Sequence, residues 1–334
     1  MGQAAELSSP IKVGGHKRNP REPDQLSFRL PKTSTSLNVN VIIVKFMKSS
    51  VFLNLLIVSR PRQWVKNLFL FAPLLFSKSF TNTESVWLSF LGFVSFCLAA
   101  SATYLVNDLI DIKEDQHHPT KRFRPIASGA ISKRAAITTS VVLFIAAILI
   151  SSLLHPTFVM FVCLYVALNL FYSLSLKNIP ILDVMCIALG FVIRVLAGAV
   201  PLDLPFSSWL IASTFFLTLT LAIYKRSNEQ LHMVDTSRPV LKYYNQAFLR
   251  QIGTIAATLA LMTYTLYTWN TGHSFAFIIT IPFAVYGVLR YLLIMEHKAT
   301  TDDGPIDDLF KDRPLQVSII LWIVTTAVIL VWYG

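Results

Sequence analysis

The sequence predicts an all-α, polytopic membrane protein, and three observations carry that prediction. The first is composition: of 334 residues, 54% are hydrophobic and only 14% charged, with a mean hydropathy of +0.57. Soluble domains carry roughly 25% charged residues. The second is a series of apolar runs of membrane-crossing length, and the third is a charge bias between alternate loops.

Nine apolar runs qualify as spans, near 67–83, 86–106, 135–154, 157–174, 180–200, 208–224, 251–269, 274–294 and 316–333. The first is the weakest, because Lys66, Asn67, Pro73 and Lys78 leave only LFLFAPLLF as a greasy centre. Residues 1–48 are polar, basic and rich in Pro and Ser, without a signal-peptide pattern; they are expected to form a disordered cytoplasmic arm ahead of a transmembrane catalytic domain at 49–334. Cys97, Cys163 and Cys186 all lie in apolar stretches, so neither a disulfide framework nor a thiolate metal site is suggested.

Charge placement supports the span count independently. Arg60, Arg62 and Lys66 precede the first span. Lys113, Lys121, Arg122, Arg124, Lys133 and Arg134 follow the second, Lys177 the fourth, Lys225, Arg226, Arg238, Lys242 and Arg250 the sixth, and Lys298, Lys311 and Arg313 the eighth. The opposite loops offer Lys78, His155, Asp203 and little else. This bias puts the amino terminus and the charged loops in the cytoplasm and the carboxyl terminus outside. The net charge of +11 therefore belongs mainly to one membrane face, where it meets anionic headgroups or an anionic substrate. A nucleic-acid partner is not expected, because no soluble basic domain is present.

The stretch NDLIDIKEDQHHPTKRFRPIASG, at 107–129, leaves the second span on that face. If the helix continues past the membrane edge, Asp108, Asp111 and Asp115 fall at i, i+3 and i+7 with Asn107 beside Asp111, so their oxygens share one face. Carboxylates that close repel one another unless a cation sits among them, and oxygen-only ligands suit Mg²⁺ completed by substrate phosphates. Lys121, Arg122 and Arg124 supply a matching grip for an anion. The bland alternative is a solvated loop, against which the ordered N-D-x-x-D-x-x-x-D spacing counts. His117 and His118, before Pro119, read equally well as turn residues.

This aspartate pattern resembles the first aspartate-rich motif of the UbiA superfamily of intramembrane prenyltransferases, whose members have nine transmembrane helices around a central cavity and bind a Mg²⁺-diphosphate. RPRQWVKNLFLFAPLLFS (60–77), YSLSLKNIPILDV (172–184), FVIRVLAGA (191–199) and GPIDDLFKDRP (304–314) are similar to one branch, the decaprenyl-phosphate phosphoribosyltransferases, over about residues 58–334. That branch implies transfer of 5-phosphoribose from 5-phosphoribosyl 1-diphosphate to a polyprenyl phosphate, with release of diphosphate, in cell-envelope synthesis. Members that prenylate aromatic acids carry a second D-x-x-x-D motif after the sixth helix. Here that region reads YKRSNEQLHMVD (224–235), with Lys225, Arg226 and Glu229 instead. An aromatic prenyltransferase and a transporter of a phosphorylated metabolite are the alternatives. The latter is disfavoured because the charges gather on one face.

In such a transfer, Mg²⁺ held by Asp108, Asp111 and Asp115 stabilises the leaving diphosphate. No general base is required, since a phosphate nucleophile is already anionic, and no catalytic histidine is nominated. The resemblance implies donor contacts from Tyr172, Lys177 and Asp183. It makes the lipid phosphate the natural partner of Lys66 and Asn67, against plain interfacial anchoring beside Trp64. Arg194, inside an apolar segment, is expected to face a polar cavity and either touch a substrate phosphate or sit in a structural pair. Asp312 and Arg313 are carried forward, with Asp312 orienting Arg313 or holding the ribose hydroxyls. Asp302, Asp303, Asp307 and Asp308 read as solvated acids.

Overall fold

The structure is a computed structural model that describes residue 54 and residues 57–118, 120–232, 239–270, 275–297 and 310–333. The arm expected at 1–48 and the four acids at 302–308 lie outside the described residues. Among the described residues the chain is wholly helical. A 3₁₀ segment, Pro61–Phe71, runs into the short helix α1 (Ala72–Phe76). Then come α2 (Thr83–Ile110), α3 (Ile112–His117), α4 (Lys133–Leu154), α5 (Pro156–Leu174), α6 (Leu182–Ala199), α7 (Ser208–His232), α8 (Gln246–Asn270), α9 (Ile281–His297) and α10 (Arg313–Tyr333).

The side chains are arranged for a hydrocarbon solvent. On α4, Ile137, Val141, Val142, Ile145, Leu149 and Leu153 are all exposed, while Ser140, Ala147 and Ser151 of the same helix are buried. These buried hydroxyls are satisfied: Ser140 Oγ donates across to Ala102 O of α2 at 3.0 Å, and Ser151 Oγ to Ala147 O one turn back at 2.7 Å. Aliphatic residues outside and bonded hydroxyls inside form the pattern a bilayer stabilises.

Seven helical stretches among the described residues are long and apolar enough to cross a membrane: Thr83–Ile110, Lys133–Leu154, Pro156–Leu174, Leu182–Leu202, Ser208–Leu231, Phe275–Glu296 and Arg313–Trp332. Two of the nine expected spans do not meet that standard. The run at 251–269 is the helix α8, whose hydropathy is lowered by threonines that return their hydroxyls to the preceding turn, as Thr258 Oγ1 does to Thr254 O at 2.9 Å. The run at 67–83 is the Pro61–Phe71 segment with α1, where Pro61 and Pro73 remove backbone donors and interrupt regular α-helix. That segment lies tightly on α6: a Cβ on Gly198 would stand 2.0 Å from Leu70 O, so only glycine fits the contact.

A second difference concerns α7. Its helix runs past the expected end at 224 to His232, so Lys225, Arg226 and Glu229 are helical residues and not loop residues. The sequence placed them in a loop because their charge ends the apolar run. The structure stabilises the extra turns by pairing Arg226 with Glu229 one turn on.

The central core joins the 3₁₀ segment, α2, α4, α5 and α6 through Leu70, Phe96, Ala147, Phe158, Tyr165 and Ile193. A second core joins α6, α7 and α8 through Val184, Ile223, Tyr244 and Leu249. The start of the 3₁₀ segment, the ends of α2, α5 and α7 and the beginnings of α4, α6 and α8 thereby meet at one end of the bundle, where the charged residues gather.

Candidate active site

The aspartate motif does not lie on one straight helix. Helix α2 ends at Ile110, and Asp111, with φ −86° and ψ 8°, sits in the bridge region between α2 and α3. The i→i−4 bonds continue through the bend, from Asp111 N to Asn107 O at 2.9 Å and from Asp115 N to Asp111 O at 2.8 Å. The bend separates the three carboxylates. Asp108 and Asp115 stay together and are buried, while Asp111 turns aside and keeps about a quarter of its side chain exposed.

Each carboxylate has a basic partner from elsewhere in the chain. Asp108 Oδ1 accepts from Arg60 at 2.5 Å and from Arg124 at 3.1 Å. Arg124 also donates to Asp115 Oδ2 at 2.7 Å, so one guanidinium spans two carboxylates. Asp111 Oδ1 accepts from Lys177 Nζ at 3.0 Å. Arg60, Arg124 and Lys177 remain between a quarter and a third exposed, so water reaches the cationic side of this network. Asn107 Oδ1 accepts from Ser173 Oγ at 2.7 Å and ties α2 to α5.

A second network lies beside the first and is sealed. Arg226 donates from Nε to Asp183 Oδ2 at 2.7 Å, from Nη2 to Tyr172 Oη at 3.0 Å, and from Nη1 to Glu229. Asp183 is fully buried and Arg226 nearly so. The other oxygen of Asp183 accepts from Tyr244 Oη at 2.5 Å, and that hydroxyl accepts the backbone N–H of Ile181 at 2.6 Å. Burial and the hydrogen bond to Asp183 both push the Tyr244 phenol above its ordinary range, so it stays protonated. Tyr172 and Asp183 are thus both partners of Arg226.

Arg194 is held in a third, deeper cage. It donates to Asn67 Oδ1 at 2.7 Å, Gly190 O at 2.6 Å and Tyr165 Oη at 3.0 Å, and lies 4.5 Å from the centre of the Tyr165 ring. Asn67 is fully buried and gives its amide to Cys97 Sγ at 3.2 Å. Arg194 therefore has protein partners for its guanidinium, and Asn67 lies buried beside it and not at the membrane surface. Both placements have one cause: an arginine inside an apolar bundle recruits the nearest polar side chains.

The other expected residues divide. Lys66 is half-buried on the 3₁₀ segment. Lys121 is half-buried, and Arg122 is exposed and lies over the Phe123 ring at 4.8 Å. Lys225 stands 3.9 Å from Glu229 and over a third exposed. The partner of Asp312 is Arg290 and not Arg313. It forms a two-pronged pair with Arg290 at 2.8 and 3.1 Å and caps α10 by accepting from Leu315 N at 2.8 Å. The hydrogen bond from Arg290 holds the Asp312 carboxyl below its ordinary range. Arg313 is exposed. His118 Nδ1 accepts from Thr120 N and Lys121 N at 3.3 Å, the turn role left open for it.

Sequence reasoning missed Tyr244, Tyr165 and Ser173, and it named Arg60 and Glu229 without their partners Asp108 and Arg226. One available signal was Arg194 itself, since a membrane arginine needs polar partners and Asn67 was the polar residue in the weakest span. A cavity of about 230 Å³ opens between α1, α6, α7 and α8, lined by Pro73, Phe76, Val195, Phe206 and Tyr267 among others. No charged residue lines it, so the ionic chemistry is assigned to the networks and not to this space.

Among the described residues, no three His, Cys, Asp or Glu side chains are grouped to hold a metal ion. The donors are nonetheless of the right kind for a hard divalent cation. Asp108 Oδ2, Asp111 Oδ2 and Asp115 Oδ1 carry none of the hydrogen bonds described above, and Arg60, Arg124 and Lys177 show that the cluster draws positive charge. These carboxylates could hold a cation once Arg124 and Lys177 turn toward an anionic ligand.

Residues 68–305 match the UbiA prenyltransferase family. The chain is 34% identical over 278 residues to a decaprenyl-phosphate phosphoribosyltransferase of Mycobacterium tuberculosis, covering 80% of this chain and 90% of that one. It is 36% identical over 279 residues to the Corynebacterium glutamicum protein of the same name, covering 79% and 82%. Among solved structures, a UbiA homolog from Archaeoglobus fulgidus bound to GPP and Mg²⁺ superposes with a TM-score of 0.68 at 18% identity, covering 83% of this chain and 99% of that one. That likeness concerns the fold, an all-α membrane bundle around a central cavity.

Proposed function

Since the chain belongs to the UbiA prenyltransferase family, we propose that it transfers 5-phosphoribose from 5-phosphoribosyl 1-diphosphate to a polyprenyl phosphate and releases diphosphate. The observation that carries this reading is the identity of about a third to the mycobacterial enzyme across nine-tenths of that enzyme's length. The site agrees chemically. A donor diphosphate and an acceptor phosphate are both anionic, and this end of the bundle presents Arg60, Lys66, Arg124 and Lys177 beside three aspartates. The aromatic-prenyltransferase alternative lacks its second carboxylate motif, because Arg226 occupies that position and neutralises Asp183 and Glu229.

In the transfer, an oxygen of the lipid phosphate forms a bond to the anomeric carbon as the bond from that carbon to diphosphate breaks. Mg²⁺, when bound, supplies positive charge for the leaving diphosphate. Asp108, Asp111 and Asp115 would hold the cation. Arg124 and Lys177 turn from the carboxylates to the diphosphate oxygens they match. Lys66, on the 3₁₀ segment, holds the acceptor phosphate, and Lys121 and Lys225 add positive charge at the rim. Arg194 and Asn67 lie deeper and fix the 3₁₀ segment against α5 and α6. Counting the Pro61–Phe76 stretch and α8 as crossings gives nine, with the amino terminus and the site in the cytoplasm and the carboxyl terminus outside.

The test is transfer of radioactive phosphoribose into organic-extractable lipid by purified protein in detergent, with several polyprenyl phosphates offered in turn. The expected result is lipid-linked phosphoribose that disappears on chelation of divalent cations. No labelled lipid with any acceptor would overturn the substrate assignment, and undiminished product under chelation would overturn the Mg²⁺ role.

A further inference from the structure

We infer that Tyr244 is a positioning residue for the transfer: its hydroxyl fixes the loop that delivers Lys177 to Asp111, and so sets how tightly the donor diphosphate is held. The inference rests on the reading above that Lys177 and Asp111 face that diphosphate.

The loop between α5 and α6 is short, and its two ends are tied to different networks. Near its start, the 3₁₀ turn Leu176–Asn178 carries Lys177, whose Nζ reaches Asp111 at 3.0 Å. At its end stands Ile181, with φ 70° and ψ −44°. A β-branched residue at positive φ is a true outlier, and such strain persists only where the surroundings over-determine it. Side-chain burial does not hold it, because Ile181 is 49% exposed. What holds it is the backbone: its N–H reaches Tyr244 Oη at 2.6 Å, and its carbonyl accepts from Met185 N at 3.0 Å in the first turn of α6.

Tyr244 is itself fixed. Its ring is buried in the core that contains Val184, Ile223, Val240 and Leu249, and its hydroxyl donates to Asp183, whose second oxygen is clamped by Arg226. A single phenolic oxygen thus joins a sealed ion pair to the strained entrance of α6, four residues from Lys177. Lysine carries its charge on a flexible four-carbon stem, so the placement of the loop backbone decides where that charge dwells. Tyr244→Phe keeps the ring and deletes only the oxygen. It leaves the Ile181 N–H and one oxygen of Asp183 without their partner, and the loop is free to leave its strained conformation.

The test is a double-mutant cycle on the full chain in detergent, with donor and acceptor each varied. Tyr244→Phe and Lys177→Ala should each raise the KM for 5-phosphoribosyl 1-diphosphate about tenfold while leaving the KM for polyprenyl phosphate near the wild-type value. The double variant should match Lys177→Ala alone, because the tyrosine acts through the lysine. Multiplying effects in the double variant would overturn the inference, as would equal rises in both KM values, the signature of a merely structural role. A wild-type donor KM in Lys177→Ala would overturn it at its premise while leaving the phosphoribosyl transfer of the parent protein standing. Should the Phe variant not fold, Tyr244→Met fills the same apolar nest without the oxygen and takes its place in the cycle.

Discussion

The aspartate-motif network and the Arg226 network sit at the same end of the bundle, and they differ in how far water reaches them. In the first, Arg60, Arg124 and Lys177 are each about 28–29% exposed and hold carboxylates from one side. In the second, Arg226 and Asp183 are almost completely enclosed. Partly hydrated ion pairs are worth little and exchange partners readily, whereas an enclosed pair is costly to break because a charge is left behind in a low dielectric. The comparison assigns ligand exchange to the first network and scaffold to the second.

The largest effect expected from this contrast is on stability. Arg226→Ala leaves Asp183 and Glu229 buried without their cation and should cost about 3–5 kcal/mol, read as a large fall in melting temperature of the detergent-purified protein. A melting temperature within a few degrees of wild type would erase the distinction between the networks. Next is Asp111→Asn, which should lower turnover by about 10²–10³-fold, the range for losing a principal stabiliser of the leaving group, while the melting curve stays put. Asp108→Asn should match it in turnover with a small additional loss of stability, because Arg60 and Arg124 can turn to water. Wild-type turnover in both variants would show that the motif holds no cation.

The smallest effect lies away from both networks. Asp312→Ala removes the cap of α10 and the pair with Arg290, and should cost about 1 kcal/mol without changing either KM. The same contact has a pH signature. The Asp312 carboxyl is held below its ordinary value by Arg290, so its contribution is fully present above the ordinary carboxylate pKa near about 4 and is lost as the pH falls through the depressed value. Acid melting of the wild type should therefore show a small loss that Asp312→Ala lacks. Parallel acid curves would place the effect elsewhere.

Hydropathy and motif spacing made the bundle, the charged face and the aspartate trio legible, because those signals are local in the chain. Distant pairing was not legible. Arg60 finds Asp108 across 48 positions and Tyr244 finds Asp183 across 61, and no local pattern encodes either contact. The bend at Asp111 was invisible too, since NDLIDIKED reads as one amphipathic helix until the partners of each aspartate are known. The partner of Asn67 was hidden for a related reason: a polar residue near a span boundary looks interfacial until the arginine it serves, 127 positions on, packs against it.

The central claim is that the exposed network holds a divalent cation with the donor diphosphate. The most direct measurement is the rate of lipid-linked phosphoribose formation as Mg²⁺ is titrated into purified wild-type protein and Asp111→Asn at saturating donor and acceptor. The account predicts that the variant needs a much higher Mg²⁺ concentration to reach its own, lower plateau. Identical Mg²⁺ dependence in the two proteins would contradict it.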